Sequence, residues 1–201
     1  KPRSEKAGRV HDVLEGSNKP VVAAIHGHAL GGGLEVALEC NYRVALSSAK
    51  VGLPEVLIGV LPGAGGTQRL PRVAGPAAAL EMIVSGRHVP AGEAEALGII
   101  DAVVADDELE AAACAFAAAI AGDLPAPKAR HREDKLSGFA PGDETFTAMR
   151  KKIARKARNQ RAPYACIEAI EAAVSLPFDE GIAKERELFL PLVNADEAKA
   201  L

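Results

Sequence analysis

Two carboxylates stand inside apolar sequence within residues 19–70: Glu35 in GGGLEVAL and Glu55 in VGLPEVLIGV. Removing a carboxylate from water is costly unless hydrogen bonds, charge or function offset it, so acids in such runs ask for an explanation that surface acids do not. Each has a glycine cluster nearby, Gly31, Gly32 and Gly33 just before Glu35 and the turn PGAGG at residues 62–66 after Glu55. Bare backbone N–H groups at a glycine-opened helix start form an anion site, suited to a developing oxyanion as well as to a phosphate. Two embedded acids beside such donors are the parts of acid–base chemistry in a pocket.

Competing motifs fail on spacing. Gly27, Gly31, Gly32 and Gly33 do not form G-x-G-x-x-G, and Glu55 follows a proline rather than ending a second strand, which argues against a dinucleotide site. PGAGGTQR has no Lys before its Thr, so it is not a P-loop, and no Ser lies in G-x-S-x-G. His26 and His28 flank Gly27 and read as polar turn residues rather than catalysts. Glu39, one helical turn beyond Glu35, is expected to be a solvated or capping acid. The basic stretch over residues 128–161, with Lys151, Lys152, Arg155, Lys156 and Arg158 on one helix, reads as a solvated face, with contact to an anionic ligand tail as the alternative.

The elements that must position these groups alternate in type. A short helix over residues 5–18 leads through Pro20 into a strand at 21–25, then HGHALGGG as a glycine turn, a helix from Leu34 and a strand at 42–46. An extended piece at 51–53, helices from about Thr67 and from Pro76, a unit around Val89, a helix at 91–97 closed by Gly98, and a strand at 99–104 follow. Strand and helix in alternation is an α/β pattern. From Asp107 the pattern is helical, in four stripes: Leu109, Ala113, Phe116, Ile120; Phe146, Met149, Ile153; Ile167, Ile170, Val174; and Ile182, Phe189, Val193. Residues 123–143, rich in Pro, Gly and charge, are expected to connect the first two stripes.

Composition narrows the class. The 201 residues carry 48% apolar and 25% charged side chains and a formal charge of only −3, with 3% aromatics, so nothing global points to nucleic acid or membrane. Cys40, Cys114 and Cys166 are scattered and odd in number, which predicts neither a disulfide framework nor a metal site. No run reaches the roughly 18 to 20 apolar residues of a membrane span, and the charged opening KPRSEKAGR is unlike a signal peptide. A soluble protein of a reducing compartment is expected.

Taken together, IHGHALGGGLEVAL, VGLPEVLIGVLPGAGGTQRLPRVAG and SGRHVPAGEAEALGIIDAVV resemble the enoyl-CoA hydratase/isomerase (crotonase) family. With EAIEAAVSLPFDEGIAKERELFLPLV, the likeness extends to the hydratase portion of multifunctional fatty-acid oxidation enzymes, over essentially the whole chain. The resemblance implies an α/β spiral of β-β-α units over residues 1–122 with its first units missing, followed by a helical region over residues 123–201. It implies hydration of a trans-2-enoyl-CoA by two acids, Glu35 activating the water and Glu55 supplying the proton to C2. The N–H of Gly32 would bind the thioester oxygen, and that of Gly63 would help fix the water.

Isomerases of the family often keep one of the two acids, so both together favour hydratase, with Δ3-Δ2-enoyl-CoA isomerase as the alternative. The resemblance implies no cofactor and no metal for this region, an acyl-CoA as the partner, and peroxisomal or bacterial cytoplasmic surroundings. An NAD-dependent dehydrogenase part in the same parent chain and a homo-oligomer are further expectations. Family members begin with additional strands that donate a second oxyanion N–H; this chain is expected to start just past them. A non-catalytic, incomplete assembly module is therefore the rival reading.

Overall fold

The computed structural model describes residues 13–155, 157 and 160–195. Of the first helix expected over residues 5–18, residues 13–16 are helical, residues 17 and 18 are not, and residues 5–12 lie outside the described residues. Six short strands follow: β1 (Val22–Ile25), β2 (His28–Leu30), β3 (Tyr42–Leu46), β4 (Lys50–Gly52), β5 (Val89–Pro90) and β6 (Ala102–Val104). They form two sheets of three, ordered β1-β3-β6 and β2-β4-β5. The first four strands alternate between the sheets, since β1 and β3 pair in parallel, as do β2 and β4; β5 then joins the second sheet antiparallel to β4, and β6 joins the first parallel to β3. The β1-β2 and β3-β4 units each give one strand to each sheet before helices return the chain, in keeping with the spiral of β-β-α units that the resemblance implies.

Two strand expectations change. His28–Leu30, read as part of a glycine turn, is strand β2, in register with Lys50–Gly52. Ile99 and Ile100, expected to open the last strand, are buried but lie outside it, because their N–H groups close the preceding helix by bonding to Ala94 O at 2.8 and 3.3 Å. Capping a helix end uses the donors that a strand would have needed.

The helices are α1 (Gly32–Glu39), α2 (Gly66–Ala74), α3 (Pro76–Ser85), α4 (Ala91–Ala96), α5 (Leu109–Ile120), α6 (Glu144–Ile153), α7 (Ala162–Ser175) and α8 (Phe178–Val193), with short 3-10 helices at Pro54–Ile58 and Ala129–His131. All four helical stripes lie on α5 to α8. The connecting stretch 123–143 carries the second 3-10 helix and is tied down by Asn41 Nδ2 donating to Pro127 O and Lys135 Nζ donating to Leu97 O. α7 packs on α2 and α3, and α8 on α7 and α2. Its Ile167, Ile170 and Cys166 join Leu34, Leu38, Leu53, Leu61 and Leu70 in one apolar core. Lys151, Lys152 and Arg155, beyond the buried face of α6, are exposed.

α8 is fixed at its start by an aromatic anchor. The Phe178 ring lies under the guanidinium groups of Arg69, Arg72 and Arg130, at 5.1, 5.1 and 4.7 Å from its centroid. Cation–π contact is strongest where water is excluded, as at the buried Arg69 and Arg72. No helix among the described residues is long and apolar enough to cross a membrane.

Candidate active site

Local geometry brings Glu35 to the first full turn of α1. Gly31 precedes that helix at φ 55°, ψ −128°, a backbone conformation that a residue with Cβ strongly resists, and its carbonyl accepts the N–H groups of Leu34 and Glu35. A Cβ there would stand 3.1 Å from Glu55 Oε1, so the glycine lets the two acidic segments approach. Gly32 and Gly33 follow, both exposed, at positions whose N–H groups have no intrahelical acceptor.

The Glu35 side chain is buried, 3% exposed, and its Oε1 accepts the N–H groups of Ala64 at 2.6 Å and Gly66 at 2.9 Å. These donors belong to the PGAGG turn, so that glycine cluster cradles an acid of the protein itself. Hydrogen bonds to a carboxylate favour its charged form. Glu55 is in the opposite situation. Pro54 starts the 3-10 helix; Glu55, its second residue, is half-buried, and its Oε2 is buried with no hydrogen-bond partner among the described residues. Burial, and then the charge of Glu35, push its carboxyl up to about 7. Near neutral pH Glu55 is therefore an acid that readily keeps its proton, beside a Glu35 held by two N–H donors.

Both acids line a single cavity of about 770 Å³, which also meets Val60, Leu61 and Gly63. Three of the four residues expected from the sequence are thus brought together. Gly32 is not part of this wall; it lies at the exposed start of α1, next to the Gly31 that faces Glu55. His26 and His28 are exposed and do not line the cavity.

α8 and its C-cap also line the cavity, through Arg186, Phe189, Leu190, Val193 and Asn194. That contribution was not read from the sequence, although Phe189 and Val193 already stood in an apolar stripe. Phe189 approaches so closely that a Cβ on Gly63 would meet its ring at 2.8 Å. Gly63→Ala is accordingly expected to destabilise the protein by about 1–3 kcal/mol through overpacking. A thermal melt checks it; an unshifted midpoint would mean that α8 moves away freely.

Glu39 differs from expectation. Instead of facing solvent it is 3% exposed and lies 3.5 Å from Arg69 Nη1. Arg69 also bonds Glu15 through Nε and Nη2, at 3.0 and 2.8 Å, and donates to Ala64 O at 3.1 Å, so Glu39 is one side of a buried ionic support beneath the turn. Glu185, unmarked by the sequence reading, is also buried, and burial followed by the charge of Glu35 pushes it up to about 8. The signal was present: Glu185 occupies a stripe position three residues after Ile182 and four before Phe189.

The enoyl-CoA hydratase/isomerase profile matches residues 4–162. The chain belongs to the enoyl-CoA hydratase/isomerase family. It is 46% identical over 194 residues to the peroxisomal bifunctional enzyme of Cavia porcellus, covering 96% of this chain and 26% of that protein. A peroxisomal fatty acid beta-oxidation multifunctional protein of Arabidopsis thaliana is 42% identical over 193 residues, covering 96% and 27%. The chain therefore spans about a quarter of the length of these curated relatives.

Among solved structures, an enoyl-CoA hydratase from Bacillus anthracis is 29% identical with a TM-score of 0.54, covering 96% of this chain and 65% of that one. An enoyl-CoA hydratase/isomerase from Pseudoalteromonas atlantica shares the fold at 22% identity and a TM-score of 0.66, covering 99% and 66%. The family's spiral fold matches the alternation of strands between two sheets described above.

Proposed function

We propose that this chain is the hydratase portion of a fatty-acid β-oxidation enzyme and adds water across the double bond of a trans-2-enoyl-CoA. The observation that carries this reading is the electrostatic opposition of Glu35 and Glu55 on one cavity: the first cradled by two N–H donors, the second with a buried oxygen that has no partner among the described residues and raised to about 7. Glu35 takes a proton from water as its oxygen bonds to C3. The π electrons move toward the thioester, whose oxygen becomes an enolate facing the N–H of Gly32. Collapse of the enolate draws the proton of Glu55 onto C2, both additions occurring on the same face. The product gains one H and one OH, and the proton passes from Glu35 back to Glu55 to close the cycle.

In the same reading the Gly63 N–H helps hold the attacking water, and the apolar wall of Val60, Leu61 and Phe189 keeps the reaction away from bulk solvent. The reaction draws on no redox cofactor or metal. The names of the bifunctional and multifunctional relatives support a further catalytic part in the parent chain and a peroxisomal setting.

The test uses the complete natural protein. Crotonyl-CoA should lose its conjugated absorbance with matching formation of 3-hydroxybutyryl-CoA. Conversion of a 3-enoyl-CoA to its 2-enoyl isomer without hydration would overturn the reading in favour of the isomerase. Inactivity toward both substrates would favour the assembly module.

A further inference from the structure

Glu35 is not the only carboxylate held by the turn after Pro62. Glu185, reaching in from α8, accepts the N–H of Gly65 on Oε1 at 2.8 Å, and on Oε2 the N–H and O–H of Thr67 at 3.2 and 2.6 Å. Ala64 and Gly66 give their N–H groups to Glu35. Along residues 64–67 successive N–H groups therefore point alternately to two carboxylates, one on each side of the backbone. Gln68 Nε2 extends the arrangement by donating to Thr67 Oγ1 at 2.9 Å and to Ala169 O of α7 at 2.8 Å.

With glycine at 63, 65 and 66, the turn's backbone has much freedom to lose, and the bonds to the two carboxylates add to the first helical bonds of α2, Gln68 and Arg69 N–H to Gly65 O, in selecting one conformation. Anchoring Gly65 and Thr67 from one side fixes the intervening peptide planes, and so fixes where the N–H groups of Ala64 and Gly66 point on the other. Glu185 is 2% exposed and does not line the cavity, so it acts only through the turn. Packing alone would not call for a carboxyl here, because an apolar side chain would fill the site without the cost of burying one acid near another.

We propose that Glu185 is a positioning residue for hydration: from α8 it pins residues 64–67 so that Ala64 and Gly66 hold the Glu35 carboxylate in line with the attacking water. This rests on the hydratase reading above. It makes the last helix part of the catalytic apparatus through its buried side as well as through its cavity wall.

The experiment is a set of mutant cycles in the complete natural protein, assayed on crotonyl-CoA with a thermal melt for every variant. Glu185→Gln keeps the size but replaces one acceptor by an NH2 group facing the Thr67 donors. It is expected to lower kcat about tenfold with KM changed less than about twofold, because misplacing the base affects the transition state and not substrate binding. The same loss is expected on a Glu55→Gln background and no further loss on a Glu35→Gln background, where there is no base left to orient. Thr67→Ser, which keeps the hydroxyl, should retain activity, and Thr67→Val should show a smaller loss with the same dependence on Glu35.

An equal loss on all backgrounds, an effect on KM alone, or an unchanged kcat would overturn the proposal. If Glu185→Gln does not fold, the Thr67→Val cycle decides by the same criterion. Full hydration by Glu35→Gln itself would instead refute the hydratase reading, and the positioning role would fall with it.

Discussion

Glu35→Gln is expected to lower kcat for hydration of crotonyl-CoA about 100- to 10,000-fold, the usual contribution of a general base, while KM stays within a few fold. The amide has the shape of the acid, and its carbonyl oxygen can still accept the N–H groups of Ala64 and Gly66. The turn, the cavity wall and Glu185 therefore keep their positions. What the amide cannot do is take a proton from water. A drop in kcat with normal melting behaviour would locate the loss in chemistry; an unchanged kcat would remove Glu35 from the mechanism. Substituting Ala would answer less, because it orphans two buried donors and confuses base removal with collapse of the turn.

Glu35 and Glu55 were legible in the sequence because the signal is local: an acid between apolar neighbours, next to glycine, needs no knowledge of the rest of the fold. The helical stripes were legible for the same reason, since the period of α5 to α8 is written in adjacent residues. What escaped depends on partners far along the chain. Glu39 reads as a surface acid until Arg69, thirty residues on, is brought 3.5 Å away. Glu185, between Lys184 and Arg186, lacks the apolar neighbours of Glu35 and shows only its place on the stripe of its helix; its meaning comes from Gly65 and Thr67, well over a hundred residues earlier.

The strand β2 was hidden differently. His28–Leu30 is short and sits between glycines, so turn chemistry dominated the reading, and only the register with Lys50–Gly52 makes it a strand. Ile99 and Ile100 show the converse, two residues of high strand propensity spent on closing a helix. For β2 the deciding bonds are tertiary, to β4; for Ile99 and Ile100 they are the local bonds that close the preceding helix.

Glu55→Gln is expected to move activity and stability in opposite directions. In the folded protein the Glu55 carboxyl titrates at about 7, against 4.5 for an ordinary glutamate, because burial and the charge of Glu35 disfavour its ionised form. The folded state therefore binds this proton more tightly than the unfolded chain. The stabilisation is fully present below 4.5 and is lost as pH rises through 7. At pH 8 the ionised acid is a burden that the neutral amide does not carry, and the variant is expected to be about 2–3 kcal/mol more stable there than the wild type. Near pH 4 the difference should largely disappear. Melting curves at both pH values measure it.

Activity follows the same proton. If Glu55 delivers it to C2, the wild-type kcat should fall as pH rises above about 7, and Glu55→Gln should be about 100- to 10,000-fold slower and lack that alkaline limb. A wild-type kcat that stays level well above pH 8, or a variant that keeps the limb, would reassign the proton donor. A stability gain accompanied by loss of the limb would tie one cause to both observations: the cavity keeps a carboxyl protonated at a cost to the fold, and the reaction uses the proton it holds.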